Sequence, residues 1–340
     1  MKPLTLLASG MVTAVGLNSP ASCAAIRCGL NNPVETRFMD SGGEWIIGSY
    51  VPLEEPWRGR TKLVRLIVPA IQECLYQAGN IPPEKIPLFL CIAERNRPGR
   101  LDGLDDFLIE ETQTALGIRF HGASATIAKG RVGGVEAIRQ AGQAIYTERM
   151  PFCIVAGVDT YLISGTLSSF EEKDRILTSN NSNGFIPGEA GAAVLIGPAT
   201  HKSDKNPEIV GIGFGEEKAT IESEEPLRAD GMVQAIKQAL TESGLSMGDL
   251  DYRITSVNGE QYWFKEAALA LSRILRQRKE EFDIWHPADC VGETGAAIVP
   301  CSLGVAMAAA RKGYAPGNMV LCHFSNDDGA RAAVILSAQG

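Results

Sequence analysis

Reactive side chains are sparse in this 340-residue sequence. It has eight cysteines (Cys23, Cys28, Cys74, Cys91, Cys153, Cys290, Cys301 and Cys322) and four histidines. The cysteines sit mostly inside apolar or helical segments and none has C-x-x-C spacing, so reduced, buried thiols are expected. Cys153 falls mid-strand and Cys301 on a helix, and neither has a histidine beside it. Acids are better placed for chemistry. Glu260, Glu293, Asp327 and Asp328 stand at turns. Such a set admits acid–base work or a divalent cation, with Ser124 or Cys290 as nucleophile. Carboxylates at loop ends more commonly act as caps or ion pairs, so no metal and no cofactor is expected. The loop Glu94-Arg95-Asn96-Arg97-Pro98-Gly99-Arg100 could attract an anion such as a phosphopantetheine arm, but a short charge cluster ordinarily faces solvent.

The positioning elements are legible as alternating strands and helices. Leu4–Ser9 reads as a first strand, although Met1 to Ala8 faintly resembles a signal peptide. Ser19 before Pro20 reads as the N-cap of a short helix ending near Cys28. Residues 31–58 look irregular, with Trp45 and Trp57 packed under loops. Apolar spacing predicts a helix over 61–78 stopped by Gly79, a strand over 87–93 and a helix over 104–116. Residues 123–134 lead into a helix ending near Tyr146, followed by a strand over 152–157. Ala192 to Ile196 has no polar break and reads as a strand buried on both faces.

A polar bridge, residues 198–207 with His201, Lys202, Ser203, Asp204 and Lys205, separates 1–200 from 207–340. The second part repeats the rhythm: strands over 209–214, 253–257, 319–323 and 332–336, and helices over 231–243, 265–275 and 301–311. This is an α/β chain of two fused units. Its net charge of −8 without a long basic run argues against nucleic acid or an anionic membrane surface as partner. No segment has the length of a membrane span, and a cytoplasmic protein is expected.

One stretch points further. Asn183-Gly-Phe-Ile-Pro-Gly-Glu-Ala-Gly-Ala-Ala-Val-Leu-Ile-Gly197 resembles the GF-x-x-GEGAG-hydrophobic strand of the β-ketoacyl synthases, a branch of the thiolase-like condensing enzymes. The Gly10 to Gly16 turn with its short helix, and Ala156-Gly157 after a strand, resemble the same family. The resemblance implies an αβαβα layered sandwich of two similar halves, each giving one sheet. It also implies a cysteine activated at a helix N-terminus, two histidines, and backbone N–H groups for an oxyanion.

None of those groups stands at the matching positions. Residues 125–134 contain no Cys, and anchoring on Ile138, Ala141 and Ala156-Gly157 places Arg131 there. Val257-Asn258-Gly259-Glu260 matches V-N-A-H, and Val291-Gly292-Glu293-Thr294 matches the second histidine motif, so Glu260 and Glu293 take the imidazole positions. The glycine-rich terminal motif becomes His323-Phe324-Ser325-Asn326-Asp327-Asp328. An Arg cannot accept an acyl group. The expectation is therefore that Arg131 pairs with Glu260, Glu293 or both and fills a vestigial pocket bordered by Ser124, Lys129, Asn258, Thr294, His323, Asp327 and Asp328.

By resemblance, the implied function is a catalytically degenerate binding, partner or adaptor subunit. It would be a chain-length-factor-like partner, or a chaperone or adaptor in a bacterial secretion cluster. A homodimer or heterodimer is implied, with an acyl-carrier protein or a secreted effector as further partners. The alternative is an acyltransferase or 3-oxoacyl synthase-like enzyme with a rearranged carboxylate site.

Overall fold

A computed structural model describes residues 2–79, 81–199 and 206–338. The proposed bridge residues His201 to Lys205 lie outside the described residues. Residues 1–198 supply β1 (Leu4–Val12), an outlying hairpin of β2 (Val34–Met39) and β3 (Trp45–Gly48), β4 (Leu88–Ile92), β5 (Ala125–Ala128), β6 (Cys153–Thr160) and β7 (Glu189–Pro198). Residues from 208 onward supply β8 (Glu208–Glu216), β9 (Tyr252–Thr255), β10 (Ile284–Trp285), β11 (Met319–Ser325) and β12 (Ala330–Ser337). The strand order is β10-β9-β11-β12-β8-β1-β7-β6-β4-β5. Where one sheet per half is expected, β1 and β8 instead pair antiparallel through Leu4–Ile209 and Thr5–Glu208, making one ten-stranded sheet.

The helices are α1 (Ser19–Arg27), α2 (Gly59–Ala78), α3 (Leu104–Leu116), α4 (Gly133–Tyr146), α5 (Ser164–Glu171), α6 (Asp230–Ser243), α7 (Gln261–Ile274), α8 (Ala288–Val291) and α9 (Ile298–Lys312). Three cores define five layers. The central core holds α4 and α9 between β strands of both halves. A second core packs α2 and α3 on the far side of β1, β4, β6 and β7, and a third packs α6 on the far side of β11 and β12. The unbroken apolar run in β7 follows directly: Ala192, Val194 and Ile196 face the central core while Ala193 and Leu195 face the α2 side. The middle layer is tight. A Cβ on Gly134 of α4 would sit 2.4 Å from Val299 of α9, so only glycine lets these helices approach so closely.

Several local expectations are corrected. Asn18, not Ser19, caps α1, its Oδ1 accepting from the Ala21 N–H at 2.9 Å; the Ser19 N–H goes to Glu73 instead. Residues 31–58, which look irregular in sequence, carry the β2–β3 hairpin, and Trp45 is half in solvent rather than under a loop. β1 and β6 run further than expected, to Val12 and Thr160, because β7 pairs with β1 over residues 191–198 and with β6 over residues 189–196. This extension carries Asp159 into the interior. No described helix is long and apolar enough to cross a membrane.

Candidate functional site

A one-turn 3-10 helix, Gly130–Val132, delivers the chain into α4 and buries Arg131. Asn326 clamps this turn: its Oδ1 accepts from the Arg131 N–H at 2.9 Å, and its Nδ2 donates to the Lys129 carbonyl at 2.8 Å. The Arg131 guanidinium donates through Nη1 to Glu293 Oε2 at 3.0 Å and through Nη2 to Asp327. Its flat face lies 4.7 Å from the Trp263 ring. Glu293 is further held by Asn258 Nδ2 at 2.6 Å and by the Gly295 N–H at 2.9 Å.

Glu260 pairs with a different guanidinium. Arg175, which follows α5, grips it bidentately (Nε to Oε1 2.7 Å, Nη2 to Oε2 2.9 Å) and also reaches Asp327 Oδ2 at 2.7 Å. The Trp263 indole N–H completes Glu260 at 2.8 Å. Two guanidinia thus hold three carboxylates in the interior, and neutral donors take up the remaining lone pairs, as burial of charge requires. Burial alone would raise the Asp327 carboxyl, but Arg131 and Arg175 outweigh it and hold it below the ordinary carboxylate range. The same acids, Asp327 and Glu293, keep Arg131 charged against its burial.

Two further buried pairs extend the row. Arg331 donates to Glu266 at 2.7 Å, and its guanidinium lies 5.4 Å from the Trp263 ring that Arg131 also contacts. On the other side, Arg97 donates to Asp159 at 2.8 Å and to Glu94 at 2.6 Å. The Arg97 loop is therefore only partly solvated: Arg97 is buried against Tyr161 and Arg100 pairs with Asp105 at 2.7 Å, whereas Arg95, Asn96 and Gly99 are exposed. Burial pushes the Asp159 carboxyl up to about 6 against the pull of Arg97.

The remaining sequence candidates divide. Asn258 and Asp327 join the row, as described. Thr294 is buried beside Glu293 with its hydroxyl unpartnered. Ser124 does not join: its hydroxyl accepts from the Leu88 N–H and donates to the His121 carbonyl, fastening the turn into β5. Asp328 is exposed and accepts from the Ala330 N–H. Lys129 extends its exposed amine toward Glu136 at 3.9 Å. His323 is buried on β11, and burial, aided by Arg253, pushes its pKa down to about 3, so it is neutral near pH 7.

Burial also raises the Cys91, Cys153, Cys290 and Cys301 thiols, which are not thiolates near neutrality. Cys91 underlies the first turn of α4, its Cβ 3.5 Å from where a Gly133 side chain would begin. Seven of the eight cysteines are buried and Cys28 is exposed; all eight are free. Among the described residues no group of three or more His, Cys, Asp or Glu could hold a metal ion.

Arg175 is among the members that sequence reasoning misses, with Trp263, Asp159 and the Arg331–Glu266 pair. The partners of Arg175 lie 85 and 152 residues away, and no motif singles it out. A polar cleft of about 800 Å³ opens beside the row, bordered by Lys129, Val132, Glu136, Asn326, Asp328 and Arg331. Arg131, Glu260 and Glu293 do not line it.

No family model matches the chain. A mitochondrial protein of Schizosaccharomyces pombe assigned as a 3-oxoacyl-(acyl-carrier-protein) synthase is 25% identical over 159 residues, spanning 42% of this chain and 37% of that protein. Solved structures extend the likeness to the whole chain. One is the AntDE:AntF complex of a type II polyketide acyl-carrier protein with its ketosynthase, at TM-score 0.81 and 14% identity, covering 99% of both chains. Another is the ketosynthase ApeO with its chain length factor ApeC from Xenorhabdus doucetiae, at TM-score 0.76 and 14% identity over 99% of this chain and 98% of that one. The ishigamide ketosynthase/chain length factor gives TM-score 0.76 and 16% identity over the full length of both. The fold is that of thiolase-like ketosynthases, as the resemblance implies.

Proposed function

We propose that this chain, a ketosynthase-type fold with paired charges at the entrance to α4, is a non-catalytic partner subunit and not a condensing enzyme. The observation carrying this reading is Arg131. It occupies the turn where the resemblance expects an acyl-accepting thiol, and Glu293 and Asp327 already bind it. Condensation needs a nucleophile that gives up a proton and takes an acyl group, and a guanidinium does neither. The acid–base alternative is disfavoured by the same contacts, since Glu260, Glu293 and Asp327 are each bound by a guanidinium.

The partner reading draws on two further facts. Some structural neighbours are complexes of a ketosynthase with a chain length factor, and another is a complex with an acyl-carrier protein. Among the described residues, one end of the ten-stranded sheet is β5, which pairs on one side only, with β4. An open edge favours pairing with another subunit.

Two measurements test the proposal. Intact mass after incubation with an acyl-carrier-protein thioester is expected to show no acyl adduct. An adduct abolished by iodoacetamide overturns the proposal. Affinity purification from the native host is expected to retain a stoichiometric ketosynthase-like subunit. Retention of a secreted effector instead moves the role to an adaptor or chaperone.

A further inference from the structure

A second cleft, of about 530 Å³, lies between the end of α1 and the β10–α8 segment. None of its lining residues belongs to the charge row, and its size suits a small organic ligand. Its floor is aromatic. Trp285 and Tyr314 stack with centroids 6.3 Å apart and planes 26° apart, and Trp285 rests on Tyr252 at 4.8 Å. Burial pushes the Tyr314 phenol up to about 12 and raises the Cys290 thiol, so both are uncharged near neutrality.

The rim carries charge. Arg27, the last residue of α1, holds its guanidinium 4.2 Å from the Tyr314 ring centroid. Among the described residues no carboxylate is within ion-pair reach of it. A helix C-terminus accounts for a basic residue there, but not for its placement over an aromatic ring at the mouth of a cleft. The other ionisable pair at the rim is His286 and Asp289, the His286 Nδ1 lying 2.7 Å from a half-exposed Asp289 carboxylate. The cleft thus offers flat apolar walls and one uncommitted planar cation with parallel N–H donors.

We infer that this cleft binds a planar aromatic carboxylate, its ring against Trp285 and Tyr314 and its carboxylate on the Arg27 guanidinium. Aromatic faces favour a flat ring over a flexible chain. A guanidinium prefers a carboxylate, which it takes bidentately, over a neutral polar group. The inference does not depend on whether the chain is catalytic.

Calorimetric titration of the full chain with 2-naphthoate tests it, with neutral 2-naphthamide as the comparison ligand. Saturable one-to-one binding of the naphthoate is expected, with the amide weaker by about tenfold, the value of a charge-assisted contact. Arg27→Gln, a change at an exposed side chain, is expected to bring the naphthoate down to the amide's affinity and leave the amide unaffected. Tyr314→Leu should weaken both ligands. Equal affinity for acid and amide, indifference to Arg27→Gln, or no saturable heat at millimolar ligand overturns the inference.

Discussion

Two buried clusters meet on the short stretch 293–296, and each holds one acid more than it has guanidinia. In the first, Arg131 and Arg175 serve Glu260, Glu293 and Asp327. In the second, Arg97 serves Glu94 and Asp159, and the Ala296 N–H donates to Asp159 at 3.0 Å. Asp159 is the more deeply buried, its side chain 4% exposed against 24% for Asp327, and the acids behave oppositely. Asp327 lies between two guanidinia and is held down, whereas Asp159 shares its single guanidinium with Glu94 and is pushed up to about 6. Depth and the cations within reach together set each acid's charge: Glu94, sharing Arg97 with Asp159 but less deeply buried, is held down as Asp327 is.

The largest effect expected from breaking this contrast comes from removing a cation. Arg131→Met leaves Glu293 and Asp327 buried with one fewer guanidinium. It should cost about 3–5 kcal/mol in urea unfolding, with partial recovery in the double variant Arg131→Met/Glu293→Gln. A loss under about 1 kcal/mol would mean that the row is solvated. Arg97→Met should fall in the same range of about 3–5 kcal/mol, since Asp159 and Glu94 lose their only guanidinium.

The next effect separates the clusters by pH. Asp159 titrates near 6 when folded, above its ordinary 3.8. Between those values the folded chain holds a proton that the unfolded chain has released, so this group's contribution to stability falls as pH rises from about 4 to about 6. Relative to Asp159→Asn, the wild type should therefore lose stability across that window. Asp327 works the other way. Its folded value is depressed, so its contribution is present above the ordinary carboxylate value and lost as pH falls through and below it. The stability difference from Asp327→Asn should hold steady from pH 5 upward and shrink in acid. Reversed slopes in the two melting series would refute the contrast. The smallest effect is expected two residues from Arg97. Arg95→Ala removes an exposed contact to Asp105 and should stay within about 0.5 kcal/mol of wild type.

Much of the architecture is written in local pattern. The run Ala192 to Ile196 required a strand buried on both faces, and helical spacing gave α3 its bounds from Leu104 to Leu116. The resemblance to the β-ketoacyl synthase motifs singled out Arg131, Glu260 and Glu293, and their complementary charge called for pairing among them. Folding decided which partner each one found. Glu260 went to Arg175, Arg97 turned inward to Asp159, and Ser124 was consumed by its own turn. Those choices depend on chain segments separated by as many as 196 residues being brought together by sheet order and helix layering. Side-chain periodicity reports which face of an element is buried; it carries no information about which distant element will lie opposite.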